Sequence, residues 1–395
     1  RLLLTGAYFI VTLLVALALG YEQRQITWLL ILMLNQVMAS MILWLRSNIS
    51  GMQYLFLDSL LSVADRLVMI LICSLLLWGG FAGGEFRIEW FIWAQTAAYF
   101  IVMCTALVIV VRRGRVSGLK PDAAVLRSII VTGLPYALVV FSMTLYWRID
   151  AVMIERLLPE GATETGNYAQ AFRLFDALSM IPVMFGGLLL PIMTRGLASG
   201  ESIRPLAAMA GRMLMVPLGI GAVTLATIPE EILDLLYASP AGSAVDAFRL
   251  LMLALVPAGA IYIYSTMLTA TGRLKLLGSI TASGMIINIV LNWILIPALG
   301  PAGAATTALV TQTLVAAACM TAVRKTMTTV ATAARVLLYV LMLALTFGAG
   351  WLLLRTGISW TAVAAIQLAA GLLLAFLLRL TEPLKSLKLL TERHD

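Results

Sequence analysis

Charge is scarce in this sequence, and so are the residues that do chemistry in water. Asp, Glu, Lys and Arg make up 12% of its 395 residues, where a soluble domain carries about a quarter. The single histidine is His394. The three cysteines, Cys73, Cys104 and Cys319, each sit inside an apolar run, with no Cys-x-x-Cys and no Cys/His cluster. That spacing excludes a disulfide scaffold and offers no metal site; such thiols act as small hydrophobes. No G-x-x-x-x-G-K-[ST] loop occurs, so the chain does not hydrolyse ATP through that motif. Long polar segments are also missing, which leaves no room for a soluble domain or a disordered tract.

Apolar residues fill the space instead. They make up 62% of the chain, more than a globule of this length can hide from water. The net charge of +8 would suggest nucleic acid in a soluble protein, but in a bilayer protein it reflects sidedness. We therefore expect an all-α polytopic membrane protein and no nucleic-acid partner. A bilayer core about 30 Å thick needs about 20 apolar residues as helix. Runs of that kind predict twelve spans: 2–20, 27–45, 55–79, 89–111, 128–150, 166–194, 205–227, 246–270, 276–298, 302–323, 334–354 and 359–378. The runs are continuous rather than alternating, which favours helices over a barrel. The first run is long for a signal peptide and more spans follow it directly, so it reads as a transmembrane helix. The absence of an initial Met suggests an N-terminally truncated chain.

The connections sort by charge. One side collects Arg46, Arg112, Arg113, Arg115, Lys120, Arg127, Arg195, Arg204, Arg273, Lys275, Arg324, Arg335 and Arg379. The other keeps only Arg24, Arg87 and Arg355 as clear loop cations, beside acidic residues such as Glu160, Glu164, Glu230, Glu231 and Asp234. The positive-inside rule makes the first side cytoplasmic and places both ends of this chain there. The basic connection 112–127, with Gly114, Gly118 and Pro121, separates four spans from eight and reads as a linker. Residues 229–239 form an amphipathic segment expected at the outer interface.

Charges inside spans are costly and mark candidate sites. Arg173 and Asp176 lie near mid-membrane at i,i+3 spacing, which puts them on one face. They read either as a self-satisfied pair or as a cationic binding point whose aspartate holds the arginine. Arg148 lies among Tyr146, Trp147 and Asp150 and is either an interfacial anchor or an inward-facing cation. Arg212 is about 10 Å into its span and snorkelling can explain it. Asp65, seven residues after Asp58 on the same face, is a candidate protonatable coupling group. Asn288 and Asn292, at i,i+4, suit hydrogen bonding between helices. Pro135, Pro182, Pro191 and Pro217 can bend spans.

Residues 146–195 are the most distinctive stretch. Arg148, Asp150, Gly166, Tyr168, Ala171, Arg173, Pro182 and Pro191-x-x-x-Arg195 resemble the start of the C-terminal half of oligosaccharide and polysaccharide flippases, of the O-antigen type. These belong to the multidrug/oligosaccharidyl-lipid/polysaccharide exporter superfamily. Thr271-Gly-Arg273, Asn288, Asn292, Pro297 and Gly300-x-x-Gly303 agree with it, and the resemblance is best over about 120–330. It implies two pseudo-symmetric bundles plus two extra helices. Residues 1–111 would be the last four helices of the first bundle, 112–127 the linker and 128–323 the second bundle. The extra pair would be 334–378 and the cytoplasmic tail 379–395. It further implies a multi-pass protein of the bacterial inner membrane that moves a polyprenyl-diphosphate-linked oligosaccharide by alternating access. An H+ or Na+ gradient rather than a cofactor would drive it, and polysaccharide polymerase machinery would be a partner beside the membrane lipids. Arg148, Arg173 and Arg212 would be headgroup cations, because guanidinium forks match diphosphate oxygens. Asp176, Asp150 and Asp65 would be supporting or coupling groups. A multidrug or organic-cation antiporter and a lipid II-type flippase are the alternatives. A membrane enzyme is disfavoured, because no acid–base constellation can be assembled.

Overall fold

A computed structural model describes residues 2–18, 20, 23–52, 54–79, 87–113, 123–200, 202–237, 241–326 and 333–380. Linker residues 114–122 and tail residues 381–395, with His394, lie outside the described residues. Among those described, the chain forms thirteen helices: α1 Leu2–Ala18, α2 Gln23–Gly51, α3 Leu55–Trp78, α4 Ile88–Arg113, α5 Ala123–Leu157, α6 Gly161–Ala198, α7 Arg204–Thr227, α8 Pro229–Leu236, α9 Gly242–Ala270, α10 Leu274–Leu299, α11 Pro301–Thr326, α12 Ala333–Leu354 and α13 Trp360–Leu377. Eleven are long and apolar enough to cross a membrane, and α1, with 17 described residues, is shorter. The amphipathic segment is the eight-residue α8. The protein is an all-helical polytopic membrane protein.

Large apolar side chains point outward throughout. Met184, Leu188 and Trp293 are each about two-thirds exposed, on helices whose other faces are buried. Such faces are at home against lipid and costly against water.

The chain divides into two compact units, residues 1–122 and 123–395, with the division inside the expected linker. In the first, α2, α3 and α4 pack on one another around Ile42, Leu45, Ile49, Leu61, Val102 and Ala106, with α1 against α2. Arg46 of α2 donates from Nε to Asp58 Oδ1 of α3 at 2.7 Å. Asp58 is thus tied to its neighbour helix, while Asp65, half-buried, has no partner among the described residues.

In the second unit α9 is the hub. It packs on α6, α7, α8, α10 and α11, and small residues such as Ala247, Ala254, Ala258 and Gly259 let those helices approach. The α10–α11 corner shows why the sequence turns there. Gly300 takes φ +61°, a left-handed conformation that glycine adopts without cost, and Pro301 opens α11 with its ring preset for the first helical turn. The α12–α13 hairpin docks on α7. Gln367 donates from Nε2 to Thr227 Oγ1 and to the Thr346 carbonyl, both at 3.0 Å, and Tyr339 donates to the Met215 carbonyl at 2.6 Å. Gly219 makes this docking possible, since a side chain there would collide with the Tyr339 hydroxyl.

Several helices outrun the apolar windows. α6 has 38 residues, about 57 Å at 1.5 Å per residue, nearly twice a bilayer core. α5 runs to Leu157 rather than ending near Asp150. Hydropathy marks the part in hydrocarbon; the helical hydrogen bonding simply continues beyond it.

Candidate functional site

The polar residues of α5 and α6 fall into two assemblies. The first is built around Arg148. Because α5 continues past it, Arg148 lies about 14 Å before the helix end rather than at a terminus. Its Nη2 donates to both carboxylate oxygens of Asp176 on α6, each at 3.2 Å. The guanidinium carbon stands 5.3 Å from the centroid of the Phe172 ring, one helical turn before Asp176. Phe172 in turn stacks on Tyr168 at 5.7 Å and tilts against Phe175 at 5.6 Å. Trp147 packs against Phe175 and meets Tyr262 of α9 edge-on. The cation therefore rests on an aromatic shelf, with 58% of its side chain still exposed. An aromatic face favours a cation beside it, and one carboxylate occupies only part of a guanidinium's five donors. Arg148 can thus keep Asp176 and still receive an anion.

This geometry corrects the expected pairing. Asp176 does not hold Arg173; it holds Arg148, across the α5–α6 contact. Arg173 is exposed and makes no hydrogen bond or ion pair with a described residue. The i,i+3 spacing puts Arg173 and Asp176 near each other on the helix, but the partner on the neighbouring helix wins the carboxylate.

The second assembly is buried. Asp150, two residues after Arg148, is 2% exposed. Tyr168 donates its hydroxyl to Asp150 Oδ2 at 3.0 Å, and Asn292 donates from Nδ2 to Oδ1 at 2.7 Å. Asn292 Nδ2 also reaches Asn288 Oδ1 at 3.2 Å. Tyr168, Asn288 and Asn292 are all buried, so the cluster joins α5, α6 and α10 inside the second unit. Asn288 Nδ2 and Asn292 Oδ1 have no hydrogen-bond partner among the described residues, which leaves unused polar capacity next to the carboxylate. A carboxylate in such a place survives only because its oxygens accept hydrogen bonds. Sequence reasoning treated Asn288 and Asn292 as glue between helices and Asp150 as a neighbour of Arg148. It missed that the three meet with Tyr168, although the i,i+4 asparagines were the available signal.

Arg212 belongs to neither assembly. It lines a cavity of about 620 Å³ bounded by α7, α9, α11 and α12, together with Arg335 and Arg379. Asp65 stands on α3 in the other unit.

Comparison with known proteins places these residues in context. Residues 2–197 match the family described as polysaccharide biosynthesis protein. The match contains Arg148, Asp150, Tyr168, Arg173 and Asp176; it begins well before the 120–330 stretch in which the resemblance is best and ends before Thr271–Gly303. No curated protein matches by sequence. Among solved structures, the lipid II flippase MurJ in an inward closed conformation is similar in fold, with a TM-score of 0.67 at 15% identity. The alignment covers 96% of this chain and 80% of that one. Over residues 2–197, with both polar assemblies inside or anchored in that stretch, the chain matches the polysaccharide biosynthesis proteins.

Proposed function

We propose that this protein is a flippase that carries a polyprenyl-diphosphate-linked oligosaccharide across the bacterial inner membrane for polysaccharide biosynthesis. It is a transporter rather than an enzyme, working by alternating access with both ends of this chain cytoplasmic. The observation that carries the reading is the Arg148–Asp176 pair on its aromatic shelf, inside helices matched to the polysaccharide biosynthesis family. A diphosphate is anionic, and a half-exposed guanidinium with spare donors is suited to its oxygens. The aromatic rings beside it suit the apolar faces of sugars. The lipid tail needs no polar cavity, because it can remain in the bilayer. Arg173, exposed on the same helix as Asp176, supplies a second cation.

Coupling to an H+ or Na+ gradient completes the proposal. Asp150 supplies the exchangeable site, since its buried carboxylate with adjacent unpartnered amide atoms can take a proton or a small cation. Asp65 is the lesser candidate. Transport into liposomes under an imposed pH or Na+ gradient distinguishes the two ions. Polysaccharide polymerase machinery is the proposed downstream partner.

The test uses a strain whose surface polysaccharide depends on this gene. Arg148→Ala and Arg173→Ala should each abolish polymer while the protein inserts at normal levels. Lipid-linked glycan should then accumulate in the cytoplasmic leaflet; normal polymer output from both variants overturns the assignment. The similarity to a lipid II flippase supports a second reading with a different glycan. Rescue of a strain depleted of its own lipid II flippase would favour that reading.

A further inference from the structure

The α12–α13 hairpin leaves a cavity beside α7 that the transport reading does not use. Tyr339, Gln367 and the cluster of Val216, Ile220, Met342, Ala375 and Leu380 hold the hairpin on α7. Next to that seam lies a cleft of about 620 Å³, with α9 and α11 forming its other wall. It extends from Ala207 to Val223 along α7, about 24 Å at 1.5 Å per residue, and Leu343 and Phe347 line its deep part. Three arginines, Arg212, Arg335 and Arg379, line it as well, and no acidic residue does among the described residues. Arg335 stands at the start of α12 and Arg379 just past the end of α13. The mouth therefore lies at the end of the unit where Arg195, Arg204, Arg273 and Arg324 also gather.

Arg379 carries a second sign. It is the only non-glycine residue with positive φ among the described residues, at +53°. α13 ends in a turn where Arg379 N–H bonds to the Phe376 carbonyl and Leu380 N–H to the Ala375 carbonyl, a position that glycine usually fills. An arginine there bears backbone strain, and such strain tends to collect where a side chain has work to do. Leu380, buried in the seam, pins the turn that sets Arg379 at the mouth.

We infer that this cleft binds an anionic glycerophospholipid of the inner leaflet, with an acyl chain in the apolar interior and the phosphate on Arg212, Arg335 and Arg379. Basic pockets between helices on the cytoplasmic side recognise such headgroups. Three cations at the mouth and apolar side chains beyond them match a phosphate headgroup followed by an acyl chain, and competition with a polyprenyl phosphate separates the two lipid sources. Occupancy would brace the hairpin against α9 and α11, and so tie the second unit to the anionic content of its membrane.

The experiment places the full chain in nanodiscs of equal phosphatidylglycerol and phosphatidylcholine, and counts retained lipids by native mass spectrometry. The expected result is one phosphatidylglycerol held at least ten-fold over phosphatidylcholine. The triple variant Arg212→Gln, Arg335→Gln, Arg379→Gln should bring the two lipids to parity. The matching triple Arg→Lys variant should keep the preference. Ala344→Phe, which fills the cleft without touching charge, should lower retention of phosphatidylglycerol. Equal retention of both lipids by the unmodified chain overturns the inference, whatever the variants do. So does displacement of phosphatidylglycerol by an equimolar polyprenyl phosphate, which would give the cleft to the carrier. Undiminished preference in the triple Gln variant overturns it as well.

Discussion

Arg148 and Asp150 are two residues apart on α5, and the protein uses them in opposite ways. Two positions on a helix are about 200° of rotation, so one side chain faces out of the packed core and the other into it. Arg148 keeps more than half its surface open and is held by one aspartate and one aromatic face. Asp150 is sealed among Tyr168 and Asn292 and binds three helices together. The first arrangement is loose enough to exchange partners; the second exchanges nothing larger than a proton or a bare ion. On the proposed reading, a single helix presents substrate chemistry on one face and coupling chemistry on the other, and movement of α5 would shift both together.

The contrast breaks most sharply at Asp150. Asp150→Ala removes the acceptor of two buried donors, and leaving such donors unpaired costs about 1–3 kcal/mol. We expect a lowered unfolding midpoint in detergent together with loss of transport. Asp150→Asn separates the two effects. The introduced amide can still accept from Tyr168, and Asn292 can turn its unpartnered Oδ1 toward it, so the fold should hold while gradient-driven transport is lost. If the Asn variant transports normally under a gradient, Asp150 is a structural group alone.

Arg148→Ala should give the opposite profile. An exposed ion pair contributes about 0–1 kcal/mol, so the unfolding midpoint should stay nearly unchanged while polymer output disappears. A variant that loses stability as much as Asp150→Ala would show that both assemblies are structural, and the comparison would collapse.

Much of this was legible in the sequence, for uneven reasons. All twelve expected spans coincide with helices, because a continuous apolar run has one outcome in a bilayer. The amphipathic 229–239 segment likewise announced α8. The ends were less legible: the polar stretch GATET, residues 161–165, carries no hydropathy signal, yet it opens α6. The site residues were found as types and misjoined as pairs. Arg173 and Asp176 share a helix, so spacing linked them; Arg148 reaches Asp176 because α5 lies against α6. Neighbours 28 or 142 positions apart, as Arg148–Asp176 and Asp150–Asn292 are, depend on helix rotation, which periodicity in a nearly all-apolar helix does not encode. Arg212 joined Arg335 and Arg379 for the same reason, through packing of the last hairpin on α7.

Asp176→Asn tests the looser assembly from its other side, with a smaller effect than loss of the cation. The amide keeps the shape but gives up the charge that draws Arg148 toward α6. Arg148 retains its place over Phe172, so an anion can still reach it, now without a carboxylate to displace. The expected outcome is a few-fold change in the substrate concentration needed for half-maximal flipping, with the maximal rate reduced less. Complete loss of flipping would mean that the pair acts as a unit.

The smallest expected effect is that of Tyr168→Phe, and it discriminates best. Removing one hydroxyl takes a single hydrogen bond from Asp150, worth about 1 kcal/mol on average and often less within a bilayer. The ring that stacks on Phe172 stays, so the shelf beneath Arg148 is intact. If coupling resides at Asp150, the pH or Na+ dependence of transport should shift in this variant while apparent affinity for the lipid-linked substrate stays constant. A change in substrate affinity with unaltered ion dependence would instead show that Tyr168 serves the aromatic shelf, and that the two faces of α5 are one site.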